Sequence, residues 1–333
     1  MPERKRIGVV LFQLGGPDSR EAVEPFLYNL FCDPDIIDFP LAFLARRPLA
    51  RLISRRRAPA VAEKYAEIGG SSPIRLLTER QAQALELALR PHVEPFVTIA
   101  MRYWHPLTED AVRQVRSWPI DELVLLPLYP QYSRATTGSS LNEWRRRYSD
   151  SRVPARIVRD FHDHPMYLDA VVEKINVALT HFDQPQEVHL MFSAHGVPVS
   201  YIKAGDPYQQ QIEATVRLVR ERGRWANPWT LCYQSKVGPQ KWLEPSLDAT
   251  IERLAAEKYR AVLVIPIAFV TEHIETLHEI NIEAREEAEH LGIREFGMMP
   301  ALNDSPRFIA ALANLVLQAV AKKGKLEKPP SSP

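Results

Sequence analysis

The sequence predicts an α/β protein made of two doubly wound domains with parallel sheets. Three observations carry that prediction. Short runs of Val, Leu and Ile alternate with longer stretches of 3.6-residue apolar spacing, the pattern of strands buried on both faces and separated by covering helices. The chain has 333 residues, room for about two domains at roughly 150 residues each. Polar and aromatic residues gather just after several of the apolar runs, where doubly wound sheets bind their ligands.

The first strand is expected at 7–14. Arg4, Lys5 and Arg6 ahead of it give a superficial likeness to a secretory signal, but the run contains Gln13 and ends in Gly15-Gly16-Pro17-Asp18 with no small-x-small cleavage site. Further strands are expected at 96–102, 122–128, 155–158, 187–192, 229–233, 261–268 and 294–298, and helices at 79–89, 108–117, 141–148, 166–181, 209–222, 245–258 and 271–290. The first domain is expected to span 1–162 and the second 163–303. The amphipathic stretch 306–322 is expected to pack back, so that 304–333 joins the first domain, with 323–333 as a frayed tail. No internal repeat of 20–50 residues is visible.

Composition narrows the function. Lys and Arg number 42 against 41 Asp and Glu, a formal charge of +1, which speaks against a nucleic-acid binder held by bulk charge. Apolar residues at 45% and charged residues at 25% are those of an ordinary globular protein. With 28 Pro and only 13 Gly, rigid turns are indicated rather than a low-complexity chain. The two cysteines, Cys32 and Cys232, form no C-x-x-C pair and suit a reducing compartment, so a cytoplasmic protein is expected. The longest apolar stretch, 261–270, contains Pro266 and falls well short of the roughly 20 residues of a membrane span. Neither G-x-G-x-x-G nor G-x-x-x-x-G-K-[ST] occurs, which disfavours NAD and ATP.

Four strand ends carry polar chemistry. After 187–192, Gly196 and Pro198 close a tight loop that holds His195, an imidazole able to act as a base or metal ligand, or simply a loop histidine satisfied by backbone. After 261–268, Glu275, Glu279 and Glu283 fall at i, i+4 and i+8, one stripe on a helix, with Glu272, His273 and His278 nearby. Like charges at this spacing disfavour the helix by about 0.2–0.5 kcal/mol per pair. Such a row is either a ligand set for a hydrated divalent cation or a solvated face, and its place at a strand end favours the former.

Arg102-Tyr103-Trp104-His105 follows the second strand and Tyr129-Pro130-Gln131-Tyr132-Ser133-Arg134 the third. Rings and guanidinium groups there suit a flat, partly apolar, anionic ligand. Thr137-Gly138-Ser139-Ser140 is expected to cap the helix that follows. The loop 234–239 and Trp242 add Ser235, Lys236 and another large ring. Separately, 41–58 carries Arg46, Arg47, Arg51, Arg55, Arg56 and Arg57 and no acid, interleaved with Leu41, Phe43, Leu44, Leu49, Leu52 and Ile53. It reads as a basic amphipathic stretch for an anionic membrane surface or as an ordinary surface helix, with Pro48 interrupting any single long helix.

Together these residues resemble ferrochelatase, the enzyme that inserts ferrous iron into a porphyrin to make haem. The resemblance covers nearly the whole chain. It rests on Leu14-Gly15-Gly16-Pro17, Ile68-Gly69-Gly70-Ser71-Ser72-Pro73-Ile74, Arg102-Tyr103-Trp104-His105-Pro106-Leu107-Thr108, Tyr129-Pro130-Gln131-Tyr132-Ser133, Thr136-Thr137-Gly138-Ser139-Ser140, Ser193-Ala194-His195, Gly205-Asp206-Pro207-Tyr208, Gln234-Ser235-Lys236-Val237-Gly238-Pro239 and His273-Ile274-Glu275-Thr276-Leu277.

The resemblance implies a chelatase-type fold of two Rossmann-like domains with the porphyrin in the cleft between them. It implies His195 and Glu275 as the catalytic pair, and His195, Glu275, Glu279 and Glu283 as metal-handling groups, with His273 and His278 along a metal and proton path. Leu14, Arg102, Tyr103, Tyr129, Ser235, Lys236 and Trp242 are implied as porphyrin contacts. The sequence departs from the family at His278, where a tyrosine is more usual. It also has Arg134 where members carrying a [2Fe–2S] cluster have a cysteine, so no iron–sulfur cluster and no permanently bound cofactor are expected. Protoporphyrin IX and Fe²⁺ are the expected substrates. Coproporphyrin insertion, a cobalt or sirohydrochlorin chelatase, and a non-catalytic porphyrin or haem carrier stay open as alternatives. The carboxylate row speaks against the carrier.

Overall fold

The computed structural model describes residues 4–36, 42–148, 153–236 and 240–321. The first half runs β1 (Arg6–Gln13), α1 (Val23–Phe31), α2 (Ala42–Glu67), α3 (Ile74–Leu89), β2 (Glu94–Met101), α4 (Thr108–Ser117) and β3 (Glu122–Pro127). A short π-helix (Arg134–Gly138) then leads into α5 (Ser139–Arg147) and β4 (Ala155–Ile157). The second half runs α6 (Pro165–Leu179), β5 (His189–His195), α7 (Val199–Lys203), α8 (Tyr208–Gly223), β6 (Trp229–Gln234), α9 (Leu247–Ala256) and β7 (Ala261–Pro266). A second π-helix (Glu275–Ala284) continues into α10 (Arg285–His290), followed by β8 (Glu295–Met298) and α11 (Pro306–Ala321).

The strands form two four-stranded parallel sheets of identical winding, β2-β1-β3-β4 and β6-β5-β7-β8. The central strands β3 and β7 are buried along their whole length, which is why they read as unbroken apolar runs. In each sheet the winding reverses at the first strand, with β1 flanked by β2 and β3, and β5 by β6 and β7. In doubly wound sheets ligands bind at the carboxyl ends of strands at such a reversal.

The two halves share one apolar core. It runs from Val9 and Leu11 through Phe308 and Leu312 of α11 and Leu168 and Ile175 of α6 to Phe192 and Ile265 of the second sheet. Helix α11 packs on α3 and on α6, one from each half. Buried polar contacts tie the loop after β3 to α8 and the turn before it in the second half. Gln131 donates to Thr215 Oγ1 (3.1 Å), and Ser133 Oγ and the Arg134 amide both donate to Asp206 Oδ2 at 3.0 and 2.8 Å.

Three local expectations change. Pro48 does not interrupt a helix: α2 runs unbroken through both Pro48 and Pro59. Both prolines are exposed, so solvent can satisfy the carbonyls they leave unpaired. Of the basic stretch, Leu41 and the side chains of Phe43 and Leu44 lie outside the described residues, while Leu49 and Leu52 are exposed. Second, 137–140 does not cap a helix. The helical turn starts earlier, capped by Ser133, whose hydroxyl accepts from the Ala135 amide at 3.3 Å. Third, the acidic helix expected as one α-helix over 271–290 begins as a π-helix.

The short helices α1 and α7 were not anticipated. Val23, Phe26 and Leu27 do face the core, but nine residues hold too few turns for a clear period. The expected tail 323–333 lies outside the described residues.

Candidate active site

His195 is the last residue of β5, and Gly196 turns the chain behind it. A side chain at position 196 would press on Gln234 O and the Trp242 ring, at 3.0 and 3.2 Å, so glycine lets that ring approach. His195 Nδ1 lies 2.5 Å from the Gly196 carbonyl oxygen. A carbonyl only accepts, so Nδ1 carries the hydrogen and the neutral ring keeps its basic lone pair on Nε2. That Nε2 stands 3.7 Å from Glu275 Oε2. Tyr208 fixes the backbone by donating its hydroxyl to His195 O at 2.9 Å. Trp242 and Phe269 flank the imidazole, each with its ring centre 6.4 Å away.

Glu275 opens the second π-helix and receives a second imidazole, His273 Nε2, at 3.5 Å. His273 Nδ1 is bonded to the Thr271 carbonyl at 3.0 Å, so both ring nitrogens face acceptors and the charged ring is favoured. Burial opposes that charge, but the Glu275 carboxylate outweighs it and the His273 pKa is raised. Burial likewise opposes the charge on Glu275. His195, once it carries a second proton, and the charged His273 overcome it and lower the Glu275 pKa to about 2.

One turn on, burial and the Glu275 charge raise the pKa of Glu279, partly offset by the Ser235 amide and hydroxyl, which donate to its two oxygens at 2.7 and 2.6 Å. Ser235 adopts a left-handed φ of 65° to aim both donors at one carboxylate, a strained backbone kept at the site.

The acids at 275, 279 and 283 keep one file in the π-helix, whose wider i→i+5 turn brings every fourth residue almost back above its predecessor. Such turns are frequent at functional sites. Exposure grows along the file, from 23% of the Glu275 side chain to 45% of Glu283. At the outer end two residues that sequence reasoning did not single out come in from α2. Lys64 Nζ lies 2.6 Å from Glu283 Oε1, and Glu67 Oε2 lies 3.0 Å from His278 Nε2. His278 is buried and turns its other nitrogen to Glu283 at 3.4 Å. Among the described residues no three His, Cys, Asp or Glu side chains gather as a ready metal site.

The remaining candidates divide. Leu14, just beyond β1, packs half-buried against the apolar cluster that contains Tyr103. Tyr129 and Trp242 are half-buried, with the Tyr129 hydroxyl and the Trp242 indole nitrogen shielded from solvent. Burial pushes the Tyr129 pKa up. Lys236 follows Ser235 on the exposed side of the loop, and Val237, Gly238 and Pro239 lie outside the described residues.

Arg102 and Tyr103 are committed to Asp33, a residue the sequence reading passed over. Arg102 pairs with the fully buried Asp33 at 2.9 Å and donates to Ser139 Oγ at 2.7 Å. The Tyr103 and Ser139 hydroxyls both donate to Asp33 Oδ2, at 2.6 and 2.5 Å. Nothing in an isolated aspartate signals this. Only the Arg-Tyr pair at a strand end hinted at a buried acid.

A basic histidine and an ionised glutamate meet between the carboxyl ends of two parallel sheets, ringed by aromatics, with acids filing out to solvent. That is the site of a chelatase, built to bring a divalent cation and a flat ligand together. The chain belongs to the ferrochelatase family, whose profile matches residues 6–320. It is 50% identical over 326 residues to the ferrochelatase of Geotalea uraniireducens, covering 97% of this chain and 100% of that one. It is 48% identical over 321 residues to the ferrochelatase of Picosynechococcus, covering 95% and 83%.

The fold extends further. SirB from Bacillus subtilis, solved with Fe³⁺, is 12% identical with a TM-score of 0.55, covering 95% and 96% of the two chains. CbiX, described as the terminal enzyme of sirohaem biosynthesis in denitrifying bacteria, is 14% identical with a TM-score of 0.52, covering 95% and 99%. As a family member the chain is an enzyme of haem biosynthesis that inserts iron into a porphyrin.

Proposed function

We propose that the porphyrin is protoporphyrin IX, that Fe²⁺ is inserted with release of two pyrrole protons, and that His195 and Glu275 are the catalytic pair. The observation that carries this is the opposition of His195 Nε2 and Glu275 Oε2 at 3.7 Å. Insertion exchanges two N–H bonds for metal–nitrogen bonds, so the site needs one group that takes protons and another that stays anionic beside the incoming cation. His195, with its lone pair on Nε2, takes the pyrrole protons. Glu275, held to a pKa of about 2, is too weak a base to compete and remains the fixed negative charge. Glu279, whose pKa is raised, is suited to carry protons outward, and Glu283 receives the metal from solvent.

Leu14, Tyr129, Lys236 and Trp242 bear on the macrocycle edge, and remote binding there holds the ring bent so that its nitrogens leave the plane. Arg102 and Tyr103 act through Asp33, as a rigid wall. Two cysteines in 333 residues cannot supply the four thiolates of a cluster, which supports catalysis without one. The exposed arginines of α2 suit peripheral contact with an anionic membrane from the cytoplasmic side. Among the described residues no helix is long and apolar enough to cross a membrane.

The test is anaerobic insertion followed by absorbance, with Fe²⁺ or Zn²⁺ and either protoporphyrin IX or coproporphyrin III. Faster turnover of protoporphyrin IX, abolished in His195→Ala and Glu275→Gln, is the expected result. Preference for coproporphyrin would overturn the substrate assignment, and normal turnover in both folded variants would overturn the catalytic one.

A further inference from the structure

We infer that Lys64 is a displaceable counter-ion that sets how tightly the outer end of the acid file holds the incoming metal. The inference rests on the proposed role of Glu283 as the place where metal is received.

Lys64 and Glu67 sit three residues apart at the end of α2 and so leave the helix on one face. Opposite them stand Glu283 and His278 of the π-helix. The four groups interlock, with Lys64 Nζ on Glu283 Oε1 at 2.6 Å, His278 Nδ1 near Glu283 Oε2 at 3.4 Å, and His278 Nε2 near Glu67 Oε2 at 3.0 Å. Because α2 belongs to the first half and the π-helix to the second, they bridge the halves where the file reaches solvent.

Each oxygen of Glu283 thus already faces a nitrogen, and a metal ion arriving there must displace the ammonium. The exchange is feasible. Lys64 and Glu283 are 44% and 45% exposed, and ion pairs this exposed are weak. A dication gains twice the Coulomb attraction of an ammonium at the same distance. The lysine stem is flexible enough to swing aside while leaving its positive charge close by. That charge keeps the metal from settling. Transit through successive sites requires binding strong enough to admit the ion and weak enough to release it. By this argument Lys64 favours hand-over to Glu279 and Glu275 over retention at the mouth.

The experiment compares metal kinetics of the full chain with Lys64→Met and Lys64→Arg, using Zn²⁺ and protoporphyrin IX, together with calorimetric titration of Zn²⁺ into porphyrin-free protein. For Lys64→Met the metal KM should fall about threefold to tenfold, as expected for removing one unit charge about 6–12 Å from a dication in water, the separation left once the lysine swings aside. Zn²⁺ should bind correspondingly tighter, while kcat and the porphyrin KM stay within about twofold. The difference should shrink as ionic strength rises towards about 0.5 M. Lys64→Arg should restore wild-type values. In the Glu283→Gln background, Lys64→Met should change little. An unmoved or raised metal KM in Lys64→Met, or the same fall with Glu283 already replaced, overturns the inference. Absence of any insertion by the wild-type chain would instead sink the functional reading beneath it.

Discussion

One oxygen of Glu275 faces two imidazoles: His195 Nε2 at 3.7 Å from the end of β5, and His273 Nε2 at 3.5 Å from its own loop. The two rings are anchored alike and differ in exposure. Both bond backbone carbonyls through Nδ1. His195 is about a third exposed, whereas His273 is buried against the acid. His195→Ala should therefore lower kcat by about 10²–10⁴, the usual worth of a positioned base, with little change in thermal unfolding. Glu275→Gln should lower kcat comparably, since it leaves two imidazoles without their shared anion. Steady-state kinetics with far-ultraviolet circular dichroism checks both.

His273→Gln tests the electrostatics. Burial alone would raise the Glu275 pKa, and His195 and His273 together hold it down to about 2. Losing one of them should raise that pKa and move the acid limb of kcat/KM to higher pH. Stability should follow with a definite sign. The His273 pKa is raised above 6.5 in the folded chain, so its stabilisation is complete below pH 6.5 and lost as pH climbs through the raised value. Urea unfolding should find His273→Gln more damaging at pH 6 than at pH 9.

Asp33→Ala should be the most destabilising of these changes. Asp33 is wholly buried and holds Arg102, Tyr103 and Ser139 at once. Removing it strands a guanidinium that is itself nine-tenths buried, which typically destabilises by about 3–5 kcal/mol. Denaturant midpoints would show it. A loss well below 1 kcal/mol would mean that Arg102 finds solvent through the cavity of about 230 Å³ beside it.

Gly15→Ala should also weaken the fold. Gly15 has φ +86°, and a Cβ there would meet Met101 Cβ and the Trp104 amide nitrogen at 3.1 Å. The left-handed conformation and the crowding together should destabilise by about 1–3 kcal/mol. A shift in thermal midpoint of several degrees checks this.

The contrast between His195 and Asp33 shows which parts of this molecule are legible in its sequence. Strands such as β3 and β7 are buried on both faces and so are continuous apolar runs. Once they are located, whatever lies at their carboxyl ends is a candidate for the site: His195 ends β5, and Glu275 opens the helix that follows β7. Asp33, Lys64 and Glu67 follow no strand. Their partners Arg102, Glu283 and His278 reach them only through the packing of α1 and α2 against distant elements, which local periodicity does not encode. The π-helix escaped for another reason. Acids at every fourth position line up in an α-helix and in a π-helix alike, so spacing could place Glu275, Glu279 and Glu283 on one face without revealing the wider turn.

In the proposed reaction, proton and metal traffic meet at Glu279. Its carboxyl is pushed up from 4.5 by burial and by the neighbouring Glu275 charge, against two donors from Ser235. As pH falls, Glu279 therefore protonates before Glu275, and the file loses a negative charge midway along the route while the catalytic anion persists. The metal KM of the wild-type chain should rise with acid, with a midpoint above 4.5, while Glu279→Gln should have a high metal KM that no longer varies across that range. Ser235→Ala removes one of the two donors and should move the wild-type midpoint further up. Glu283→Gln should raise the metal KM at every pH, because it removes a charge at the mouth and leaves the titrating group in place. Metal KM measured against pH for the three variants separates these outcomes, and a pH-dependent metal KM surviving in Glu279→Gln would assign the titration to another group.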